Sequence, residues 1–190
     1  KAKMYENAYK KFTEAGYVAI GMDHFCRPND EFYLALKNNQ LHRNFQGYCT
    51  TKTTGQVYGF GASSISQLFS AYSQNVKNAA QYIKKINEKN TAVFRGYKLN
   101  KKEKIIRDVI NSIMCNYYVD FKEISEKFNT DSKNIKEILD FNHEKFNDFL
   151  DLNLMRIKND TVSISHDARL FIRNIAMEFD PLLNKKIGTY

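Results

Sequence analysis

Proline and glycine are scarce in this chain, with 2 Pro and 8 Gly among 190 residues. An all-β sandwich needs many tight turns, and those turns draw on both residue types. Their shortage points to a helix-rich α+β chain. Cysteine is also sparse: Cys26, Cys49 and Cys115 are odd in number and far apart, and they match no zinc or iron–sulfur spacing. A reducing cytoplasmic setting is the simplest reading, with each thiol serving as a small buried hydrophobe. No apolar run approaches the roughly 20 residues of a membrane span. The charged, amphipathic start does not read as a signal peptide. Internal repeats and low-complexity tracts are absent. Acidic residues are short in one half only. Residues 1–100 hold 14 Lys and Arg against 6 Asp and Glu, whereas residues 101–190 hold 15 of each class. The whole formal charge of +8 therefore resides in the first half. Such a half suits an anionic partner: nucleic acid, a membrane surface or a polycarboxylate substrate. Lys10, Lys11, Lys84 and Lys85 read as ordinary solubilising positions.

What is abundant is aromatic: 12 Tyr and 14 Phe, within a chain that is 43% hydrophobic, a composition that folds. Residues 1–15 place Tyr5, Ala8, Tyr9 and Phe12 on one helical face, and Gly16 supplies a C-cap. Residues 17–20 form a short buried strand that runs into Gly21-Met22-Asp23-His24-Phe25 and then Arg27-Pro28. Helix, glycine, strand and polar cluster is the rhythm of an α/β barrel, whose strand ends carry the site. Asp23 could fix the imidazole tautomer of His24, and Arg27 could grip a carboxylate in bidentate fashion. Capping of loops by the same groups is the alternative. Residues 29–39 read as a short helix opened by Asn29 or Asp30. Residues 70–87 read as an amphipathic helix with Val76, Ala79, Ala80 and Ile83 inward, and residues 91–97 as an extended piece.

The second half has its own order. Residues 100–116 form a helix with Ile105, Ile106, Val109, Ile110, Ile113 and Met114 inward, and residues 120–128 a short second one. Residues 132–150 form a third helix. Residues 154–157 and 161–165 pair as a hairpin around Asn159-Asp160. Ser165 caps a last helix that Pro181 stops near residue 180. Helices, a hairpin wing and a final helix make a winged-helix plan, which raises a nucleic-acid-binding module as one possibility. The neutral charge of this half argues against it, because phosphate contacts need a basic footprint. In the helix at 132–150, Lys133, Lys136 and Lys145 face Glu137, Asp140, Glu144 and Asp148.

The densest run of functional residue types is 41–66, LHRNFQGYCTTKTTGQVYGFGASSIS. His42, Arg43, Asn44 and Gln46 crowd beside Phe45 and Tyr48. A short β-type run at 57–60 follows, broken by Gly59 and Gly61 and closed by small residues. Glycines inside a strand mark a bulge or the close approach of a ligand; a surface loop feeding an edge strand fits the same composition. LHRNFQGY followed by a G-x-G-x-S-x-I-S strand resembles the oxygen-independent coproporphyrinogen III oxidases, radical S-adenosylmethionine (SAM) enzymes. Gly21-Met22-Asp23-His24-Phe25, Arg27-Pro28, Tyr72, Gln74-Asn75, Met114-Cys115-Asn116 and Ile172-Arg173-Asn174-Ile175-Ala176-Met177 agree in order. The resemblance covers nearly all of this chain but only the C-terminal part of the family's sequence. The family's C-x3-C-x2-C cluster motif is absent.

The resemblance implies an oxidase fragment that acts in haem and porphyrin biosynthesis. Two propionates of coproporphyrinogen III are decarboxylated to vinyl groups, giving protoporphyrinogen IX. The cofactors implied are SAM and a [4Fe-4S] cluster whose ligands lie upstream, so no metal site is expected in this chain and the fragment alone is expected to be inactive. Partners are coproporphyrinogen III and an electron donor for the cluster, with no nucleic acid and no membrane span. A cytoplasmic monomer is expected. Carried over by motif, Phe45, Gln46 and Ile65 contact SAM, while Asp23, His24 and Arg27 are candidates for the substrate or site wall. Residues 1–98 then supply terminal strand and helix elements of a radical SAM α/β barrel, and residues 99–190 a winged-helix-like helical domain. Ser64 stands where the family commonly has Ala, and the spacing from Phe45 to Ile65 is one residue longer than the usual pattern. A haem-carrying radical SAM relative shares the glycine strand, but the intact HRNFQGY favours the oxidase.

Overall fold

The structure is a computed structural model that describes residues 2–45, 47–51 and 55–183. Helix α1 (Ala2–Glu14) leads into strands β1 (Val18–Gly21) and β2 (His24–Cys26). These two strands pair antiparallel with a bulge between Ala19 and Gly21, so the polar cluster at 21–24 is a hairpin turn. Helix α2 (Glu31–Lys37) starts where Asp30 accepts the Phe32 N–H, as a helix-opening carboxylate should. Strands β3 (Leu41–Arg43) and β4 (Tyr48–Thr50) form a second hairpin. Strands β5 (Ile65–Gln67), β6 (Ala71–Asn75) and β7 (Val93–Lys98) make a three-stranded antiparallel sheet in the order β5-β6-β7. Helix α3 (Ala79–Lys89) connects β6 to β7.

Helix α4 (Lys101–Asn116) opens the second half. Asn100 accepts the Glu103 N–H at 3.0 Å while Glu103 accepts the Asn100 N–H at 2.8 Å, a reciprocal cap that fixes the helix start. Strand β8 (Tyr118–Asp120), helices α5 (Phe121–Lys127), α6 (Ser132–Ile138) and α7 (Asn147–Asp151), and strands β9 (Met155–Lys158) and β10 (Thr161–Ile164) follow. The last helix is α8 (Ile172–Met177). Strand β10 lies between β8 and β9 in an antiparallel sheet. The hairpin at β9–β10 sits where the sequence places it. All the strand pairs named are antiparallel, and among the described residues no sheet closes into a barrel.

Four expected elements fold differently. Residues 70–87 are not one helix: residues 71–75 are the central strand β6, and Asn78 caps α3 by accepting the Gln81 N–H at 3.0 Å. The helical spacing of Val76 and Ile83 is coincidental, since Val76 is buried beyond the strand end and Ile83 is 60% exposed on α3. The run at 57–60 makes only one bridge, Val57 to Gln67. Residues 132–150 break after α6, where Asp140 turns left-handed (φ 48°) and the Phe141 N–H donates to the Lys136 carbonyl at 2.9 Å. That break swings Phe141 into Phe121, Phe146 and Phe179, with ring centroids 5.3–5.9 Å apart. A 3-10 turn (His143–Phe146) then leads to α7. Ser165 caps no helix: its N–H extends the sheet by donating to Leu154, and its hydroxyl has no partner among the described residues. A 3-10 turn (Asp167–Phe171) precedes α8 instead.

Two apolar clusters hold these elements. The larger centres on Ile105, Val109 and Ile113 of α4 with Phe121, Ile135, Phe146, Ile175 and Phe179, all fully buried. The smaller joins Ile20, Cys26, Ala35, Leu41 and Tyr48 to Cys115. Helix α4 therefore belongs to both, and Tyr48 donates to the Met114 carbonyl at 3.3 Å. Burial pushes the Cys115 thiol up to about 12 and raises those of Cys26 and Cys49. All three cysteines are free thiols rather than reactive thiolates.

Candidate active site

His42 and Arg43 lie on β3 and Tyr48 on β4, the two strands of the hairpin. Its turn closes where the Asn44 N–H donates to the Gly47 carbonyl at 2.8 Å and the Gly47 N–H donates to Asn44 Oδ1 at 3.2 Å. The turn lifts Phe45 out of the hairpin, 59% exposed, with its ring edge-on to Tyr72 at 5.6 Å. Gln46 lies outside the described residues. Arg43 reaches back instead: its Nη1 donates to Met22 Sδ at 2.8 Å, and the guanidinium lies 5.3 Å from the Tyr48 ring centroid.

The glycine strand is organised by side chains that the sequence pattern leaves without a role. Asn75 donates through its amide to the carbonyls of Gly59 and Gly61 and to Ser64 Oγ, at 3.0–3.3 Å. Ser64 also donates to the Gly61 carbonyl at 2.8 Å, which gives the hydroxyl at this position a structural use. Gly59 backs directly onto Ile65: a Cβ there would stand 2.8 Å from the Ile65 carbonyl carbon. The result is a groove of about 580 Å³ in which Phe45 and Ile65, twenty positions apart, face the same space with Tyr72, Tyr97 and Arg95. Arg95 is held there by its Nε–H donating to Gln74 Oε1 at 3.0 Å.

A second cavity of about 630 Å³ lies against the groove, between the hairpin tip and helices α4 and α8. Phe45, Tyr72 and Tyr97 line both spaces. Arg107 and Arg173 were not picked out as site residues from the sequence, yet both line this second cavity. The one signal for Arg173 was its place in the Ile172–Met177 motif.

Asp23 and His24 do meet: His24 Nδ1 donates to Asp23 Oδ1 at 2.9 Å. Partial burial works to raise the Asp23 carboxyl, but hydrogen bonds from its backbone and from His24 outweigh this and leave it lowered. The His24 ring packs edge-on to Tyr48 at 5.0 Å, which ties the β1–β2 turn to the hairpin. Gly21 makes the same junction, since a Cβ there would overlap the buried Tyr48 ring end. Arg27 is exposed beside Tyr17, 6.0 Å from its ring centroid, and lines neither space next to Phe45.

His42 sits on the buried side of the hairpin, where the Gln67 amide donates to its Nε2 at 3.2 Å. Burial, and then the neighbouring Arg107 cation, lower its pKa below the ordinary 6.5. A His held neutral in the fold contributes its full stability above the unfolded value. That contribution is lost as pH falls below about 6.5, because the unfolded chain takes the proton first. Thermal melts at about pH 7.5 and 5.5 should therefore show a drop on acidification that His42→Gln reduces. An identical drop in the variant would rule out His42 as its source.

No family model matches the chain. A solved structure of coproporphyrinogen III oxidase (HemN) from Escherichia coli, described as a radical SAM enzyme, matches it with a TM-score of 0.83 at 34% identity, over 93% of this chain and 40% of that one. Curated oxygen-independent coproporphyrinogen III oxidases match in sequence. That of Salmonella typhimurium is 34% identical over 98% of this chain and 40% of its own length. Those of E. coli and Synechocystis are 37% and 36% identical, over 92% and 98% of this chain and 37% and 40% of their own lengths. By sequence and fold, then, this chain is a relative of the C-terminal part of the oxygen-independent coproporphyrinogen III oxidases. It spans about 40% of their length.

Proposed function

We propose that this chain is the C-terminal part of an oxygen-independent coproporphyrinogen III oxidase, where it walls the cofactor and substrate site. The observation that carries this reading is the groove that brings Phe45 and Ile65 together. Its chemistry fits SAM: an aromatic face suits adenine or a sulfonium, and the glycine-backed strand allows close approach to backbone. When bound, SAM and a [4Fe-4S] cluster supply the oxidising power that turns two propionates of coproporphyrinogen III into vinyl groups. The protein's task is to bind, orient and exclude water. Phe45, with Gln46 beside it in sequence, and Ile65 hold SAM in this proposal. Asp23 and His24 form part of the wall behind the hairpin, and the exposed Arg27 serves a substrate approach at most.

The three cysteines are dispersed, and among the described residues no three His, Cys, Asp or Glu side chains converge as a metal site. In this proposal the cluster ligands lie in an upstream part, as the family resemblance implies, and an electron donor reduces the cluster. Exposed apolar surface supports such a part. Strand β7 is exposed along its length, α3 buries no residue, and Phe60 and Phe94 are 88% and 69% exposed. Surfaces of this kind mark a contact face. We assign residues 1–98 to the end of the barrel on this ground. Residues 99–190 we read as winged-helix-like from the order α4, β8, α5, α6 and the β9–β10 wing. Two of its lysines are spent internally, Lys136 on Asp160 and Lys145 on Asp140, which favours a packing role over nucleic-acid binding. No helix among the described residues is long and apolar enough to cross a membrane; a cytoplasmic monomer is part of the proposal.

In the full-length protein, Phe45→Ala should raise the KM for SAM about tenfold and lower kcat, since one wall of its pocket is removed. Anaerobic kinetics with SAM and porphyrinogen varied separately would show this. Unchanged parameters for SAM would argue against the groove as its site.

A further inference from the structure

The 630 Å³ cavity has no role in the reading above. Its size lies within the usual range for small-molecule sites, roughly 300–1,000 Å³. Its floor is apolar core, with Ile106, Met114 and Ala176 presenting one face of α4 and α8. Its rim carries guanidinium groups from three separate parts of the chain: Arg43, Arg107 and Arg173. Two of these are already engaged. Arg43 donates to Met22 Sδ, and Arg107 donates to the Leu68 and Phe69 carbonyls at 3.2 and 2.7 Å. Arg173 is exposed at the cavity, and its side chain makes no ion pair or hydrogen bond among the described residues. Two carboxylates also line the space, and both have partners. Glu103 accepts from the Tyr97 hydroxyl and the Asn100 N–H, and Asp180 accepts from the Leu182 N–H.

An apolar floor with an uncommitted guanidinium above it fits the edge of an apolar macrocycle that carries carboxylate arms. The partition of Phe45, Tyr72 and Tyr97 puts the cavity on one side and the Ile65 groove on the other. Resting on the oxidase reading, we infer that this cavity receives a propionate-bearing edge of the porphyrinogen, with Arg173 as the carboxylate contact. Substrate and SAM then meet across the Phe45 ring. Helix α8 is the specificity element, because of the three guanidiniums lining the cavity its Arg173 is the one without a side-chain hydrogen bond or ion pair among the described residues.

The probe is coproporphyrin III, the stable fluorescent tetracarboxylate of the same skeleton, titrated into this chain and followed by fluorescence anisotropy. Saturable one-to-one binding is expected. Arg173→Gln should weaken it roughly tenfold to a hundredfold, the range for losing a charge-assisted contact, and Arg173→Lys should recover part of the loss. Lys84→Gln on α3 should change nothing, and the tetramethyl ester should not bind. Circular dichroism of each variant checks that it folds. A wild-type chain that binds no coproporphyrin III, an Arg173→Gln chain that binds as tightly, or an ester that binds equally overturns the assignment. The full-length protein separates this claim from the oxidase reading. Turnover of coproporphyrinogen III with the same KM in Arg173→Gln sinks the cavity and spares the oxidase. Arg173-dependent binding without any turnover does the reverse.

Discussion

Gly59→Ala is expected to cut turnover of the full-length protein on the order of a hundredfold, the scale of a misplacement of about 1 Å at a reacting site. The added methyl would stand 2.8–3.0 Å from the carbonyl carbon, oxygen and nitrogen of Ile65. These are backbone atoms, and they are fixed. Ile65 pairs with Gln74 across β5–β6, and Ser66 accepts the Gly59 N–H at 2.9 Å. The clash therefore cannot be relieved by a side-chain rotation; β5 must move into the groove or the 57–61 segment must move out. Either displacement changes the space that Phe45 and Ile65 share. The C-terminal core is remote from this contact, so the variant should still melt cooperatively. Anaerobic turnover measured beside a thermal melt distinguishes the outcomes. Wild-type turnover would mean that the 57–66 segment does not shape the site.

Phe146→Ala should destabilise the chain by about 3–5 kcal/mol, the usual cost of removing a buried Phe. Its ring lies 4.7 Å from Phe179 and 5.3 Å from Phe141 and is fully buried. The neighbours cannot collapse to fill the space, because Phe121, Ile135 and Ile175 are themselves packed from other elements. Urea unfolding followed by circular dichroism gives the number. A loss below about 1 kcal/mol would mean that the ring cluster is loosely packed and that the break at Asp140 has another cause. The two substitutions separate site from scaffold, since one should lower turnover with little loss of stability and the other should do the opposite.

Local chemistry made much of the chain legible in advance. The helices at α1, α2, α4 and α5 and the β9–β10 hairpin follow from apolar spacing; Asp30, one of the two residues offered as the cap of α2, accepts the N–H it is suited to accept, and the structure shows Asn100 and Asp120 capping α4 and α5 in the same way. Such signals act within four or five residues, so the sequence carries them whole. The pairing of Asp23 with His24 needed only adjacency, whereas the β3–β4 hairpin and the exposure of Phe45 at its tip came from the structure. The relationship to the oxidases was legible for the same reason: it rests on runs of consecutive residues.

Other features depended on partners distant in the chain. The stretch at 71–75 has helical spacing, yet β5 and β7 claim its backbone on both sides, and sheet pairing overrode the local pattern. Asp140 breaks a periodic helix without a glycine because Phe141 gains three aromatic neighbours by leaving it. Ser165 looked like a cap, but its N–H is taken by Leu154. Arg27 follows a strand end in sequence, whereas the antiparallel β1–β2 pairing puts it beside Tyr17 and away from both spaces next to Phe45. The sequence by itself determined where α2, α4 and α5 start, which residues are apolar and which motifs occur. Only the tertiary structure decided that Phe45 and Ile65 line one groove, that α4 serves two cores, and that Arg173, more than a hundred positions from Phe45 in sequence, lines a cavity with it, because those juxtapositions come from packing between elements that no local spacing encodes.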